Sequence, residues 1–374
     1  MLAITLGTPA SGTTWVFNVV RALFAQVLPH AVSLSTAEAS DLFDNVPGGS
    51  RDIIVKAHSL DAGLLTLASL FQAKVILTTR DPRDSLVSQR ERFGATLHEA
   101  VRDLSRSSAT ISMLDDSVPC LRLRYEDHFT DKSATVAHIA QFLGFQIGTS
   151  TIDDIYRQFR PENVTRALDR LSSRGDLKTF GFDASSHWHP GHVGDGESGK
   201  WQHRLPPEDQ EAVIGAVGSD LHDNAATRCV HWSAKLFTYH DGRSAAANEM
   251  LACEGDDRAL LWGPYQHLPS GRWQVSPQIR LRDLDRTISI KTDVFIPVTG
   301  RDQLSLRVLN LPAASPERMI MEFDHHNHAE PVELRISSIA DGRTANVEFA
   351  GADLTWLGPS ERSSIMMARP VTPL

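Results

Sequence analysis

The chain has 374 residues, 46 acidic against 37 basic, for a formal net charge of -9; that length suggests two domains, and the acidic balance argues against a general nucleic-acid binder, which carries a basic stripe. The three cysteines, Cys120, Cys229 and Cys253, lie far apart, which argues against a disulfide framework or zinc ribbon and fits a reducing cytoplasm. No stretch reaches the roughly 18 apolar residues of a membrane span, and no basic segment precedes an apolar one at the start, so the expected location is cytoplasmic.

The first run, Leu2 to Leu6, is apolar and expected as a buried parallel strand; the pattern from Val16 to Leu28 is helical. Between them lies Gly7-Thr8-Pro9-Ala10-Ser11-Gly12-Thr13-Thr14-Trp15. A glycine-rich turn entering a helix aims backbone N–H groups and the positive end of the helix dipole at one point, a setting for a phosphate-like anion. Gly7 and Gly12 keep the Walker A spacing, but Thr13 stands where that motif has its lysine. The hydroxyls of Ser11, Thr13 and Thr14 are expected to add donors. An ordinary tight turn would also fit this loop taken alone.

Farther on, Ile53-Ile54-Val55, a helical stretch from Leu60 to Leu70, Lys74 to Thr79, a helix from Pro82 to Phe93, Cys120 to Tyr125 and a helix from Ser133 to Leu143 alternate. The alternation implies a doubly wound α/β parallel sheet. Residues 161–205 show no clear period and are expected as an irregular flap, before a helix from Pro206 to Leu221. A linker is expected at Asp241-Gly242-Arg243-Ser244 and the alanines after it, dividing domains 1–240 and 245–374. Past it, Thr287 to Phe295, Leu304 to Val308, Val332 to Ile336 and Ala345 to Phe349 alternate with period two, as in an antiparallel β-sandwich or jelly roll. The aromatics from Trp262 to Trp273 suit either a sandwich core or a sugar-stacking face, with the core favoured. Asp324-His325-His326-Asn327-His328 reads as a solvated turn in preference to a metal site.

Ligands of open α/β sheets collect at the carboxyl ends of strands, which singles out three junctions. After Ile53-Ile54-Val55 comes Lys56-Ala57-His58; a histidine suits the removal of an alcohol proton, since its ordinary pKa is near neutral, though a surface lysine and a capping histidine would fit as well. After Val75 to Thr79 comes Arg80-Asp81-Pro82-Arg83-Asp84-Ser85-Leu86-Val87-Ser88, in which Pro82 suits the first turn of a helix and Arg83 and Asp84 suit a salt-bridge cluster at its start. After Leu123-Arg124 comes Tyr125-Glu126-Asp127.

These segments, in this order, resemble the sulfotransferases that use 3′-phosphoadenosine 5′-phosphosulfate (PAPS). Pro9-Ala10-Ser11-Gly12-Thr13-Thr14-Trp15 is similar to their 5′-phosphosulfate loop, with Ala10 in place of a lysine. Lys56-Ala57-His58 resembles their Lys-Thr-His, and Arg80 to Ser88 resembles their 3′-phosphate motif. Gly196-Glu197-Ser198-Gly199-Lys200-Trp201 resembles their closing Gly-x-x-Gly-x-Trp segment, with Gly194-Asp195 in place of a basic pair. Over roughly residues 1–220 the resemblance implies a P-loop-like sulfotransferase fold moving a sulfuryl group from PAPS to a hydroxyl of a small-molecule or glycan acceptor, a carbohydrate being the favoured one, with adenosine 3′,5′-bisphosphate as product and no metal.

It implies His58 and Lys56 as catalytic residues, with Lys56 meeting the sulfuryl charge in the absence of a loop lysine. It implies Pro9, Ser11, Gly12, Thr13, Thr14, Trp15, Arg80, Ser88, Tyr125, Gly196 and Lys200 as nucleotide contacts, Trp15 and Tyr125 lying at the adenine. Lys200 or Arg204 could substitute for the missing basic pair, and the flap histidines His187, His189 and His192 are the alternative bases. The C-terminal region faintly resembles β-sandwich modules of bacterial polysaccharide enzymes. Two rivals stand beside this reading: another P-loop enzyme such as a nucleotide kinase, and a degenerate relative that binds nucleotide or glycan without turnover. The acceptor and the oligomeric state lie beyond the sequence.

Overall fold

The computed structural model describes residues 1–174, 181–191, 193–218, 228–243, 250–253, 256–281, 288–297, 301–311, 319–339 and 345–360. The chain divides into two compact units. The first gathers residues 1–95 and 114–204. In chain order its elements are β1 (Leu2–Gly7), α1 (Thr13–Val27), β2 (Val32–Ser35), α2 (Ala39–Asn45), β3 (Ile53–Ala57), α3 (Ala62–Leu70), β4 (Lys74–Thr79) and α4 (Pro82–Phe93). Helix α5 (Leu97–Ser112) then departs to the other unit, and β5 (Cys120–Arg124), α6 (Ser133–Leu143), α7 (Thr149–Gln158), α8 (Pro161–Arg174) and the short α9 (Trp201–Arg204) complete the first.

The strands form one parallel sheet in the order β2-β3-β1-β4-β5. Parallel strands buried on both faces need continuous apolar runs, and β1 is buried along its whole length. Helix α1 supplies Val16, Phe17, Val19, Val20, Leu23 and Phe24 to the core beneath it, packed with Ile54, Ile76, Leu121 and Leu123 of the sheet. Chain order reverses at β1: the chain visits β2 and β3 on one side, then crosses to β4 on the other. Open α/β sheets bind ligands at such a switch point, and the loops leaving β1, β3 and β4 all emerge there. Helix α4 follows the sequence closely: Asp81 caps it by accepting from the Arg83 N–H, Pro82 takes the first turn, and Gly94 ends it in the left-handed conformation.

Residues 161–174 form helix α8, in contrast to the irregular flap expected there. Its Val164 and Leu168 are buried, with Leu171 packed against them. Their spacing of four and three residues is helical, Pro161 stands at the first position of the helix, and most of the Gly and His content that suggested a loop belongs to the residues after 180.

The second unit holds α5, α10 (Pro207–Val217) and the strands β6 (Cys229–Ser233), β7 (Thr238–Tyr239), β8 (Met250–Cys253), β9 (Ala259–His267), β10 (Gly271–Leu281), β11 (Ile288–Ile296), β12 (Arg301–Leu311), β13 (Met321–His325), β14 (Pro331–Ser338) and β15 (Ala345–Gly358). Two antiparallel sheets result, β13-β10-β15-β6 with β8 on β15, and β12-β11-β14-β9-β7. Their shared core includes Trp232, Phe237, Tyr239, Trp273, Val294, Leu334 and Phe349. Trp273 is a core residue, whereas Trp262 and Tyr265 are partly exposed.

Strands β6 and β7 pair within these sheets although they precede residue 240, and α5 and α10 pack with β9 and β6. The grouping therefore differs from a division at 240. Ser244 and the alanines after it, the end of the expected helix at Leu221, and Thr287 lie outside the described residues. The His-rich turn also differs from expectation: His325 and His328 are buried and only His326 is exposed.

Candidate functional site

The loop after β1 is shaped by contacts that leave no room at two glycines. A Cβ on Gly7 would meet the Thr78 hydroxyl at 2.0 Å, and one on Gly12, at φ +85°, would meet the Phe129 ring at 2.9 Å. Ala10 also holds a positive φ of 60°. Gly12 is the N-cap of α1 and provides no side-chain cap, so the first amides of a 15-residue helix face the loop with their hydrogen-bonding capacity directed outward.

The hydroxyls divide differently from expectation. Ser11 Oγ donates to the Thr8 carbonyl (2.7 Å) and lies 2.7 Å from Thr78 Oγ1, which is 2.8 Å from Thr13 Oγ1. Ser11 and Thr13 are buried and knit the loop to β4, while Thr14 is partly exposed. Their role is to fix the loop's shape; Thr78, far off in sequence, is the partner that local reading does not reveal. Pro9 is also held, its carbonyl accepting from Ser85 Oγ at 2.9 Å.

At the end of β3, Lys56 is buried, 7 % exposed, and makes no ion pair or side-chain hydrogen bond with the described residues. Burial lowers its pKa to about 8, which still leaves it mostly protonated at neutral pH. His58 Nδ1 lies 2.7 Å from the Gly7 carbonyl; a carbonyl only accepts, so Nδ1 carries the proton and Nε2 presents its lone pair. Desolvation by the surrounding protein, then the Lys56 cation, lower the His58 pKa to about 4, against the opposing Gly7 bond, with His187 adding to the lowering. By its accessible surface the residue is nonetheless exposed, so the imidazole can be reached from solvent.

Of the flap histidines, His187 sits edge-on to Phe17 and stacked on Phe182, with its pKa lowered to about 4 by burial, then by Lys56 and Arg21, against Asp183. His189 has both ring nitrogens engaged: Nδ1–H donates to the Pro190 carbonyl (2.8 Å) and Nε2 accepts from Arg92 (3.3 Å), so it is poorly placed to take a proton. His192 lies outside the described residues.

Beyond β4, Arg80 is 5 % exposed. Its Nη1 donates to the Ala10 carbonyl (3.1 Å) and Ser88 Oγ (3.3 Å), and its Nη2 to the Glu197 carbonyl (2.7 Å). The strand end does fold back over α4, and the fork holds both the loop and the late segment. Its Nε–H, also buried, has no partner among the described residues, an orphan donor of the kind an anion would satisfy. The guanidinium lies 4.2 Å from the centre of the Tyr125 ring. Tyr125 meets Phe129 edge-on at 6.2 Å, and Phe129 meets Trp15 edge-on at 5.8 Å. Trp15 is anchored through Nε1 to the Phe159 carbonyl (3.2 Å). These three rings line the loop on one side, Phe129 being one the sequence reading did not single out.

The late segment is pinned to α4 by Asp84, which is wholly buried and accepts from the N–H groups of Gly199 (2.6 Å) and Trp201 (3.1 Å). The guanidinium carbon of Arg83, which pairs with Asp81, sits 3.4 Å from the centre of the Trp201 ring. Gly196 adopts φ 74° near the Tyr125 hydroxyl. Lys200 departs from its expected place: its ammonium is taken by Glu91 (2.7 Å) and Asp195 (3.5 Å). Arg204, the other expected substitute, is 67 % exposed and 3.9 Å from Glu91. Among the described residues no group of three or more His, Cys, Asp or Glu is placed to hold a metal, and no helix is long and apolar enough to cross a membrane.

The first unit therefore carries two cationic positions, Lys56 beside the loop amides and Arg80 with Ser88, next to a row of aromatic rings. Solved sulfotransferases share structural similarity with this chain. Retinol dehydratase in complex with retinol and PAP is 15 % identical, with a TM-score of 0.40 over 60 % of this chain and 80 % of that one. Mouse sulfotransferase SULT7A1 complexed with PAP is 16 % identical, with a TM-score of 0.42 over 57 % and 81 %. A CBM36-1 domain of a multidomain xylanase from the hindgut metagenome of Trinervitermes trinervoides is 12 % identical, with a TM-score of 0.25 over 35 % and 98 %. No family model matches the sequence, and no curated protein does.

Proposed function

We propose that the first unit is a sulfotransferase that binds PAPS and passes its sulfuryl group to a hydroxyl acceptor. The observation that supports this reading is two buried cations at the ends of the strands that flank β1, Lys56 at the end of β3 and Arg80 after β4, the latter bonded to the loop at the Ala10 carbonyl. A nucleoside monophosphate needs one such position; a nucleotide with a 5′-phosphosulfate and a 3′-phosphate needs both. The loop amides from Gly12 to Thr14 with Lys56 would hold the 5′ group, Arg80 and Ser88 the 3′-phosphate, and Trp15, Phe129 and Tyr125 the base. The Nε of Arg80 and the ammonium of Lys56, both without a partner among the described residues, fit that ligand.

When bound, PAPS supplies the group that is transferred and leaves as adenosine 3′,5′-bisphosphate. His58 Nε2 takes the proton of the acceptor hydroxyl, and its Nδ1–H bond to Gly7 fixes the tautomer that allows this. Lys56 and the amides at the start of α1 stabilise the negative charge growing on the departing side, the task of a preorganised electrostatic site. Lys56 thus replaces the cation absent at Ala10. We take the acceptor to be a carbohydrate, since the partly exposed Trp262 and Tyr265 of the sandwich could lie against sugar rings.

A binding protein without turnover is the rival, favoured by Ala10 and by Asp195, whose carboxylate interacts with Arg80. Radiolabelled PAPS incubated with the protein and a panel of mono- and oligosaccharides separates the two. Label on an acceptor supports the enzyme; bisphosphate binding with no transfer to any acceptor, and no slow hydrolysis, supports the rival.

A further inference from the structure

We propose that a cavity on the first unit, between α1, the end of α7, α8 and the chain at 183–188, is a binding site for an organic anion with a flat ring body. The cavity measures about 530 Å³, within the roughly 300–1,000 Å³ of small-molecule sites. None of the residues assigned above to the nucleotide lines it, so the proposal does not rest on that reading. Small side chains on two helices leave the space open. Asn18, Arg21, Ala22 and Ala25 recur at the spacing of one face of α1, and Ala167 and Arg170 share a face of α8. The three alanines leave unfilled the volume that larger residues would occupy.

The polar lining suits a negative charge. Asn18 is buried, its Nδ2 donating to the Thr14 (2.9 Å) and Ser186 (2.8 Å) carbonyls and its Oδ1 accepting from Arg21 Nη1 (3.0 Å). That bond, with the Phe17 ring centred 5.4 Å from the guanidinium carbon, holds the Arg21 fork in place. The anchor uses one of the five N–H donors of a guanidinium, and the others have no partner among the described residues. The carboxylate in the lining, Asp183, is engaged by the Ser186 N–H (2.7 Å) and the Ser185 hydroxyl (2.9 Å) and makes no ion pair with Arg21. Arg170 adds a second, exposed guanidinium. Trp188 contributes a partly exposed ring whose indole N–H has no partner among the described residues. A planar fork matches a carboxylate or sulfate group, and a flat ring matches the body that carries it.

The test is calorimetric titration of the full chain with 2-naphthoate and with its neutral counterpart 2-naphthamide, with and without saturating adenosine 3′,5′-bisphosphate. Wild type, Arg21→Gln and Ala25→Phe are compared, the thermal midpoint of each being measured alongside. Wild type is expected to bind the acid about tenfold or more tightly than the amide, as for a charge-assisted pair, with the bisphosphate leaving that affinity within about twofold. Arg21→Gln should erase the preference for the acid. Ala25→Phe, which keeps every charge and fills the cavity from α1, should weaken both probes. No binding of the acid by wild type, equal affinity for acid and amide, a preference that survives in folded Arg21→Gln, or unchanged affinity in Ala25→Phe overturns the assignment. So does displacement of the acid by the bisphosphate, which would place the probe in the nucleotide site.

Discussion

Raising the pH through 8 should weaken nucleotide binding if, as proposed, Lys56 is the charge that meets the 5′ group. In the unliganded protein its pKa is lowered to about 8 by burial, with no counter-ion among the described residues. A bound anion favours the charged form and raises that pKa. The sign follows from linkage: affinity is full below the free-state pKa and falls as pH rises above it, about tenfold per pH unit, until the bound-state pKa is reached. Adenosine 3′,5′-bisphosphate should therefore bind about tenfold more weakly at pH 9 than at pH 7, or about 1.4 kcal/mol. Phosphate second ionisations lie near pH 6 and are complete in this range, so the limb belongs to the protein. The assay is calorimetry at constant ionic strength, with Lys56→Ala expected to bind weakly and without this limb. Affinity that stays flat to about pH 9, or a limb that survives in Lys56→Ala, refutes the reasoning.

Two other outcomes follow. His58→Ala should lose about 10²–10⁴ in transfer rate and keep nucleotide affinity, and because the histidine is already neutral above its pKa of about 4, the wild-type rate should show no acid limb near pH 6.5; rate measurements from about pH 5 to 8 check both. The sandwich unit should lose stability in acid: burial first, then neighbouring cations or histidines, lower the pKa of His267 to about 4 and of His325 to about 3. Both are kept neutral in the fold, so stability is complete above about pH 6.5 and declines as pH falls through it, by about 2 kcal/mol per histidine at pH 5; urea midpoints followed by tryptophan fluorescence, with His325→Gln losing part of the decline, test this.

Much of the candidate site was legible because its parts sit at strand ends, where a few residues of distinctive type follow a short apolar run. Arg80 and Ser88 are separated by two helical turns whose cap, proline and terminal glycine are all local signals, and the helix forms with the limits expected. What escaped the sequence was decided by distant contacts. Thr78 claims the hydroxyls of Ser11 and Thr13 across β4, and Glu91 claims Lys200. Helix α5 has a local capping box at Thr96 and Glu99, yet its membership of the second unit depends on β9 and α10. The strands at 229–233 and 238–239 look like the tail of the α/β region and pair instead with β15 and β9. Helix α8 was within reach of its own apolar spacing.

The most direct measurement is the affinity of the protein for adenosine 3′,5′-bisphosphate relative to AMP, by calorimetry at neutral pH, in wild type and Arg80→Ala. A charge-assisted hydrogen bond to phosphate contributes about 1.5–3 kcal/mol, so the bisphosphate should bind wild type at least about tenfold more tightly than AMP, and Arg80→Ala should erase most of that difference. Equal affinity of wild type for the two nucleotides would contradict the assignment of Arg80 and Ser88 to a 3′-phosphate, and with it the sulfotransferase reading.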